Sequence, residues 1–182
     1  QLHAYLNRTK AFNIVYVTKD PSVHVYCDAS YANHPQDSKS HGGVYVTLGA
    51  HTGPIYVRSS KIKAVCTSIC EAELFQLVEG VRKTYNVAKL LHELGAIDSL
   101  HFTVHEDNEA TIIIGSAGEG RTPNSKHFRV RFDFLKDLIA DGTIKIVHCP
   151  TEEMTADYLT KGMVGELYVK LTTTAMGLNR AV

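Results

Sequence analysis

"SVHVYCDASYAN", residues 22–33, decides the fold, because it reads as a strand that ends in a carboxylate. Val23, Val25 and Cys27 alternate with His24, Tyr26 and Asp28, the period of two expected of a half-buried strand, and this alternation puts Asp28 on the second face. A carboxylate in that position has to be paired, solvated or bound to metal, since burying it alone is too costly.

Outward from this stretch, the segment before it, "QLHAYLNRTKAF" (1–12), reads as a short helix end and "NIVYVT" (13–18) as an extended lead-in before the turn-forming "KDPS". Beyond the polar "YANHPQDSKS" (31–40), "HGGVYVTLG" and "GPIYVRSS" are two strand-like runs with glycines at their junction, which predicts an antiparallel three-strand meander. From about Thr67 to Leu94 the period becomes helical, with Leu74, Leu77, Val78, Val81, Tyr85 and Ala88 on one side and Gly95 as the stop. "SLHFTVHED" is a strand with Leu100, Phe102 and Val104 inward and Asp107 at its end, followed by a short helix "NEATIIIGS" and the loop "AGEGRTPNS". A second long helix over 126–140 leads to the strand "TIKIVHC", and "TEEMTADYLTKG" reads as a helix capped by Thr151 and stopped by Gly162. One more short helix is expected around "GELYVKLTTTAMGL". A meander followed by alternating helix and strand gives a mixed sheet with helices on its faces, an α/β domain.

With 182 residues and 44% hydrophobic content the chain can bury a real core. Nineteen basic and nineteen acidic residues cancel, so a polyanion would have to be held by a local patch rather than a global field. Neither a membrane-length apolar run nor a secretory leader is visible, so a soluble, intracellular protein is expected. Cys27, Cys66, Cys70 and Cys149 form no CxxC pair and read as reduced thiols. A start at Gln1 rather than Met suggests a piece of a longer chain.

Four acids stand where such a fold can bring them together: Asp28 on the first strand, Glu71 or Glu73 at the start of the long helix, Asp107 after the fourth strand and Asp157 in the late helix. Ligands in α/β sheets gather at strand ends and where strand order reverses, and the first and fourth strands are expected to be neighbours. Clustered carboxylates repel and are tolerated mainly around cations, and an all-oxygen donor set favours magnesium or manganese. Helical angles do not choose between Glu71 and Glu73. Each acid alone has an ordinary reading as a cap, a turn residue or a solvated group; only the joint pattern has force.

The stretches "YCDASYAN", "GPIYVRSSKIKAVCTSICEAELFQL", "VHEDNEATI" and "NSKHFRVRFDFLKDLIADGTIKIVHCPTEEMTADYLTKGM" together resemble the ribonuclease H domain of copia-type LTR retrotransposon polyproteins, in order from about residue 5 to 165. The resemblance implies a ribonuclease H-like fold, a mixed five-stranded sheet of an antiparallel meander plus two parallel strands flanked by helices. It implies the acidic set Asp28, Glu73, Asp107 and Asp157, and leaves Glu71 as a cap or helper. Residues 1–20 then read as the tail of a preceding reverse-transcriptase region, 21–165 as the ribonuclease H domain and 166–182 as a C-terminal extension. The chain departs from the family at "SKSHGG", where Ser38 and His41 replace an Arg and a Thr, at Arg58 in a Trp position, and at "HEDN" and "NSKHF" in place of "CDN" and "TKHI". No departure removes a carboxylate.

The implied reaction is hydrolysis of the RNA strand of an RNA–DNA hybrid during retrotransposon reverse transcription. Two Mg²⁺ ions about 4 Å apart, with Mn²⁺ as substitute, would flank the scissile phosphate. Asp28 would bridge them, Glu73 and Asp107 would complete one site, and Asp157 the other; His148 is either a helper in product release or a polar strand-end side chain. Ser30, Ser59, Ser60 and Asn108 are candidates for contacts to 2′-hydroxyls. Arg121, Lys126, His127, Arg129 and Arg131 form an acid-free basic stretch over 121–131 suited to phosphates. The polymerase region of the same polyprotein is the implied partner, no membrane is implied, and the location is cytoplasmic particles or the nucleus. The alternative is a non-catalytic ribonuclease H-like scaffold or RNA-binding module, against which the intact acids argue. An integrase-type core is disfavoured because its Glu comes last in the chain, whereas Glu73 lies between Asp28 and Asp107.

Overall fold

The alternation in residues 22–33 becomes β1 (Val23–Ser30), the centre of a five-stranded sheet. A computed structural model describes residues 2–16, 21–50, 52–116 and 126–178. The elements are α1 (Leu2–Thr9), β1, β2 (His41–Leu48), β3 (Pro54–Lys61), α2 (Ile69–Glu93), β4 (Phe102–Glu106), α3 (Glu109–Ser116), α4 (Lys126–Ala140), β5 (Ile144–His148) and α5 (Gly165–Ala175). Two 3-10 turns, Thr151–Glu153 and Thr155–Leu159, lie between β5 and α5.

Strand order is β3-β2-β1-β4-β5. The meander pairs antiparallel, with Asp28 opposite Gly43 and Ser30 opposite His41, while β4 lies parallel to β1 and β5 parallel to β4. This is the mixed sheet expected from the order of elements. β1 therefore has an antiparallel neighbour on one side and a parallel one on the other, and the carboxyl ends of β1 and β4 lie side by side.

One face of the sheet buries Val23, Val25, Cys27, Val44, Val46, Phe102 and Val104 against Leu74, Leu77, Val78 and Val81 of α2 and Leu135 of α4. Each such aliphatic side chain contributes about 1.5–3 kcal/mol of burial free energy. Helix α2 comes close to β1 because Gly80 faces the Cys27 thiol; a Cβ at residue 80 would collide with that sulfur. The helix begins at Ser68, whose hydroxyl accepts from the Glu71 N–H at 3.1 Å, and Glu71 accepts in return from the Thr67 N–H and hydroxyl at 2.6 and 2.8 Å. These bonds satisfy backbone donors left open at a helix start.

The other face carries Tyr26, Tyr45, Cys149, Met154, Ala156, Tyr158 and Ala175. The Tyr45 hydroxyl donates to the Ala175 carbonyl at 2.7 Å, and the Val15 N–H donates to the Met176 carbonyl at 2.8 Å, so both α5 and the lead-in segment are tied to this face. Among the described residues no helix is long and apolar enough to cross a membrane.

Two local expectations are corrected. β4 ends at Glu106, with Asp107 just beyond it. Residues 151–162 are not a helix: they form the two 3-10 turns, broken at Met154 (φ −70°, ψ 89°), and Pro150 rather than Thr151 precedes the first. The cause is packing, since Met154 and Ala156, two residues apart, are both wholly buried against the same sheet face. A continuous helix would turn residues two apart to different sides.

Candidate active site

Asp28, Glu73 and Asp107 converge where β1, α2 and β4 meet, each offering a carboxylate oxygen, and these oxygens all lie within 4.8 Å of one another. Asp28 is 1% exposed and Glu73 5%, whereas Asp107, just past the strand, is half-buried. Glu73 faces the sheet and Glu71 the helix start, so the structure distinguishes the two acids that helical spacing left equivalent. Glu73 accepts a hydrogen bond from the Ala29 N–H, but its Oε2 has no hydrogen-bond partner. The Thr151 hydroxyl donates to Asp107 at 3.1 Å.

Asp157 sits in the second 3-10 turn, buried on the other side of Asp28 and outside the three-acid cluster. Lys161 joins the two: its ammonium donates to Asp157 and lies 3.7 Å from Asp28 Oδ1. The Thr160 hydroxyl also donates to Asp28. The turn can lie this close because residue 43, opposite Asp28, is glycine; a Cβ there would stand 2.8 Å from the Ala156 carbonyl oxygen and 2.9 Å from Leu159 Cβ.

Burial, with the charges of Asp157 and Asp107, raises the Asp28 carboxyl to about 6 against the lowering effect of Thr160 and Lys161. Burial first, then Glu106, Asp28 and Asp107, drive Glu73 far above the usual carboxylate range. Glu106 is wholly buried beside it and is pushed up for the same reason, burial, despite a hydrogen bond from the Asn108 N–H; its Oε2 also lacks a partner. Such an arrangement stores like-charge repulsion that a cation would relieve. The oxygen-only donors and the unpartnered Glu73 Oε2 fit a hard divalent ion.

The other candidates are spread around this centre. Ser30, at the end of β1, is buried with its hydroxyl unpartnered. Ser59 donates to the Leu159 carbonyl at 2.7 Å and meets His41 Nε2 at 2.8 Å, and Ser60 accepts from Arg58 at 3.0 Å. Asn108 caps α3, accepting from the Thr111 N–H at 3.0 Å. His148 is exposed at the end of β5, opposite Glu106 in the ladder. Arg129 is exposed and Arg131 stacks on Phe75, 4.4 Å from the ring centre. Arg121 lies outside the described residues, as do the side chains of Lys126 and His127.

Sequence reasoning missed Glu106, Thr160, Lys161 and a cleft of about 280 Å³ between β3 and α2, lined by Arg58, Lys61, Lys63 and Lys83 among others. Glu106 was within reach: it continues the inward alternation of Phe102 and Val104. Lys161 stands four residues after Asp157, a spacing that brings side chains together on a helix and does so here just past the end of the 3-10 turn.

No family model matches the chain. It is 31% identical over 140 residues, 77% of its length, to the retrovirus-related Pol polyprotein from transposon RE2 of Arabidopsis thaliana. It is 28% identical over 157 residues, 86% of its length, to that from transposon TNT 1-94 of Nicotiana tabacum. The chain spans only 9% and 12% of those two polyproteins. Among solved structures it is similar to LC11-RNase H1 from a compost metagenome, with TM-score 0.57 and 17% identity over 77% of this chain and 93% of that one. The same enzyme in complex with an RNA/DNA hybrid gives TM-score 0.54 and 18% identity, over 76% and 93%. The N-terminal RNase H domain of a Mycobacterium tuberculosis protein gives 0.56 and 15%, over 86% and 97%.

Proposed function

Since the chain belongs with the ribonuclease H-fold segments of retrovirus-related Pol polyproteins from transposons, we propose that it cleaves the RNA strand of RNA–DNA hybrids during reverse transcription. The observation that carries this reading is the convergence of Asp28, Glu73 and Asp107, with oxygens within 4.8 Å, at the carboxyl ends of two adjacent parallel strands.

Asp28, Glu73 and Asp107 would hold one Mg²⁺ or Mn²⁺, and Asp28 with Asp157 a second. Bound there, such ions lower the pKa of a water and offset charge on a phosphoryl group. The chain's own residues do the rest. Thr160 fixes the Asp28 carboxylate and Thr151 that of Asp107, so ligand positions are held by hydroxyls from the turns rather than by the ions alone. Arg58, Lys61, Lys63 and Lys83, with Arg129 and Arg131, give a nominally neutral chain a local cationic surface for a nucleic-acid backbone. Ser30, Ser59, Ser60 and Asn108 are the candidate 2′-hydroxyl readers. The polymerase region of the same polyprotein is the proposed partner, and retrotransposon particles the proposed location.

The test is cleavage of a labelled RNA–DNA hybrid with Mg²⁺ or Mn²⁺, alongside Asp107→Asn and an RNA–RNA duplex. Cutting confined to the hybrid and abolished by Asp107→Asn is the expected result. Hybrid binding without cutting, in a protein that binds no divalent ion, would instead support the scaffold reading.

A further inference from the structure

Among the described residues, Lys161 is the one side chain whose ammonium stands among the site's acids, and neither the fold nor the three-acid cluster requires it there. Its charged end donates to Asp157 and lies 3.7 Å from Asp28 Oδ1, while both carboxylates are almost wholly buried. Its side chain is 44% exposed, so it can swing into water without opening the core. Its backbone is pinned, with the Lys161 N–H donating to the Asp157 carbonyl at 3.1 Å. Thr160 holds Asp28 independently, so the carboxylate stays in place when the ammonium leaves.

We propose that Lys161 is a resident, displaceable cation that occupies the Asp28–Asp157 half of the site, so that a divalent ion binds there only by exchange with the ammonium. The inference rests on the divalent-ion reading of the site above. The ammonium already bonds the Asp157 carboxylate and lies 3.7 Å from Asp28 Oδ1, so it and an incoming ion compete for the same carboxylate oxygens. A lysine ammonium is a compact point charge on a flexible stem and is suited to such an exchange. The Glu73–Asp107 half has no such occupant among the described residues, so the two halves fill at different metal concentrations: the Glu73–Asp107 half first, the Asp28–Asp157 half later. Lys161 is thus a positioning residue: it keeps Asp157 and Asp28 together before the metal arrives and sets the concentration at which the second ion enters.

The test is calorimetric titration of Mg²⁺ into the substrate-free chain, comparing wild type, Lys161→Met and Lys161→Arg. The expected result is a weak second binding step in wild type that tightens at least tenfold in Lys161→Met and stays weak in Lys161→Arg. A second measurement needs no variant: acetylation of Lys161, followed by peptide mass spectrometry, is slow without metal and accelerates as Mg²⁺ saturates the second step. An unchanged second step in a folded Lys161→Met protein, or acetylation indifferent to Mg²⁺, overturns the exchange while leaving the metal site standing. Absence of Mg²⁺ binding by wild type and Lys161→Met alike overturns both readings.

Discussion

Replacing Asp28 by Asn is expected to stabilise the metal-free protein at neutral pH while removing its function. The Asp28 carboxyl, ordinarily near 3.8, is raised to about 6 by burial and by Asp157 and Asp107, after the favourable effects of Thr160 and Lys161. A carboxyl whose pKa is one higher in the folded chain costs it about 1.36 kcal/mol when ionised, so ionised Asp28 opposes folding by about 3 kcal/mol. Because the folded value is raised, the native state binds more protons than the unfolded one between these two values. The wild type is therefore unpenalised below about pH 3.8 and loses stability as pH rises to about 6, with no further loss from this group above that. Asn is close in shape, keeps an acceptor for the Thr160 hydroxyl and never ionises. The difference should be near zero at pH 4 and about 3 kcal/mol at pH 7, roughly 6–12 °C in Tm for a domain of this size. Urea and thermal melts in EDTA at pH 4, 5, 6 and 7 measure it. Added Mg²⁺ should narrow the gap by stabilising only the wild type, by about 1.4 kcal/mol at ten times its Kd. An Asp28→Asn protein that is less stable than wild type at pH 7, or an advantage that does not shrink toward pH 4, would refute the reasoning.

Gly43→Ala forces the second 3-10 turn away from β2, because the new methyl group would meet the Ala156 carbonyl and Leu159; overpacking of about 1–3 kcal/mol and a loss of hybrid cleavage are expected, checked by urea melts and the cleavage assay. Tyr45→Phe removes the buried hydroxyl that donates to Ala175 and should cost about 1 kcal/mol, with earlier proteolysis of the α5 segment as a second readout. Glu106→Gln removes one of two neighbouring buried carboxyls whose ionisation is resisted; above pH 7 without metal the variant should be more stable than wild type, and the advantage should vanish at pH 4. Ser68→Ala deletes the hydroxyl acceptor at the start of α2 and should cost about 1 kcal/mol without altering the pH profile of cleavage, measured by melts and rate–pH curves.

What could be read from the sequence was set by how local its causes are. The period of two in Val23, Val25 and Cys27, and the apolar stripe of α2 from Leu74 to Ala88, are fixed by neighbouring residues, and both survive in the fold. The approach of Asp28 to Asp107 followed from the order of elements, because a meander followed by a crossover leaves β4 beside β1. The segment 151–162 failed the same test. Its apolar residues fit a helix on spacing, but Met154 and Ala156 must both fill the underside of the sheet, a demand made by residues more than a hundred positions away. The approach of Lys161 and Thr160 to Asp28 was unreadable for that reason: it depends on where this broken segment lands, whereas spacing alone points Lys161 only to Asp157.

The broken segment also explains why the site needs a fold of this depth. Asp28, Glu73 and Glu106 each oppose folding when ionised, and they sit at the rim of a core in which Val25, Val44, Val46, Leu77, Val81 and Val104 are almost fully removed from water. The turn that brings Thr160, Asp157 and Lys161 to Asp28 is anchored by Met154 and Ala156 on the face that Asp28 shares with Tyr26 and Tyr45, so the positions of these acids depend on packing away from the α2 core. A change that loosens that second face should therefore alter metal affinity before it alters global stability, since the turn buries far fewer residues than α2. Ala156→Gly tests this: the expected outcome is a weaker Mg²⁺ titration with a Tm lowered by only a few degrees. Unchanged Mg²⁺ binding with a large drop in Tm would mean that the turn belongs to the core and not to the site.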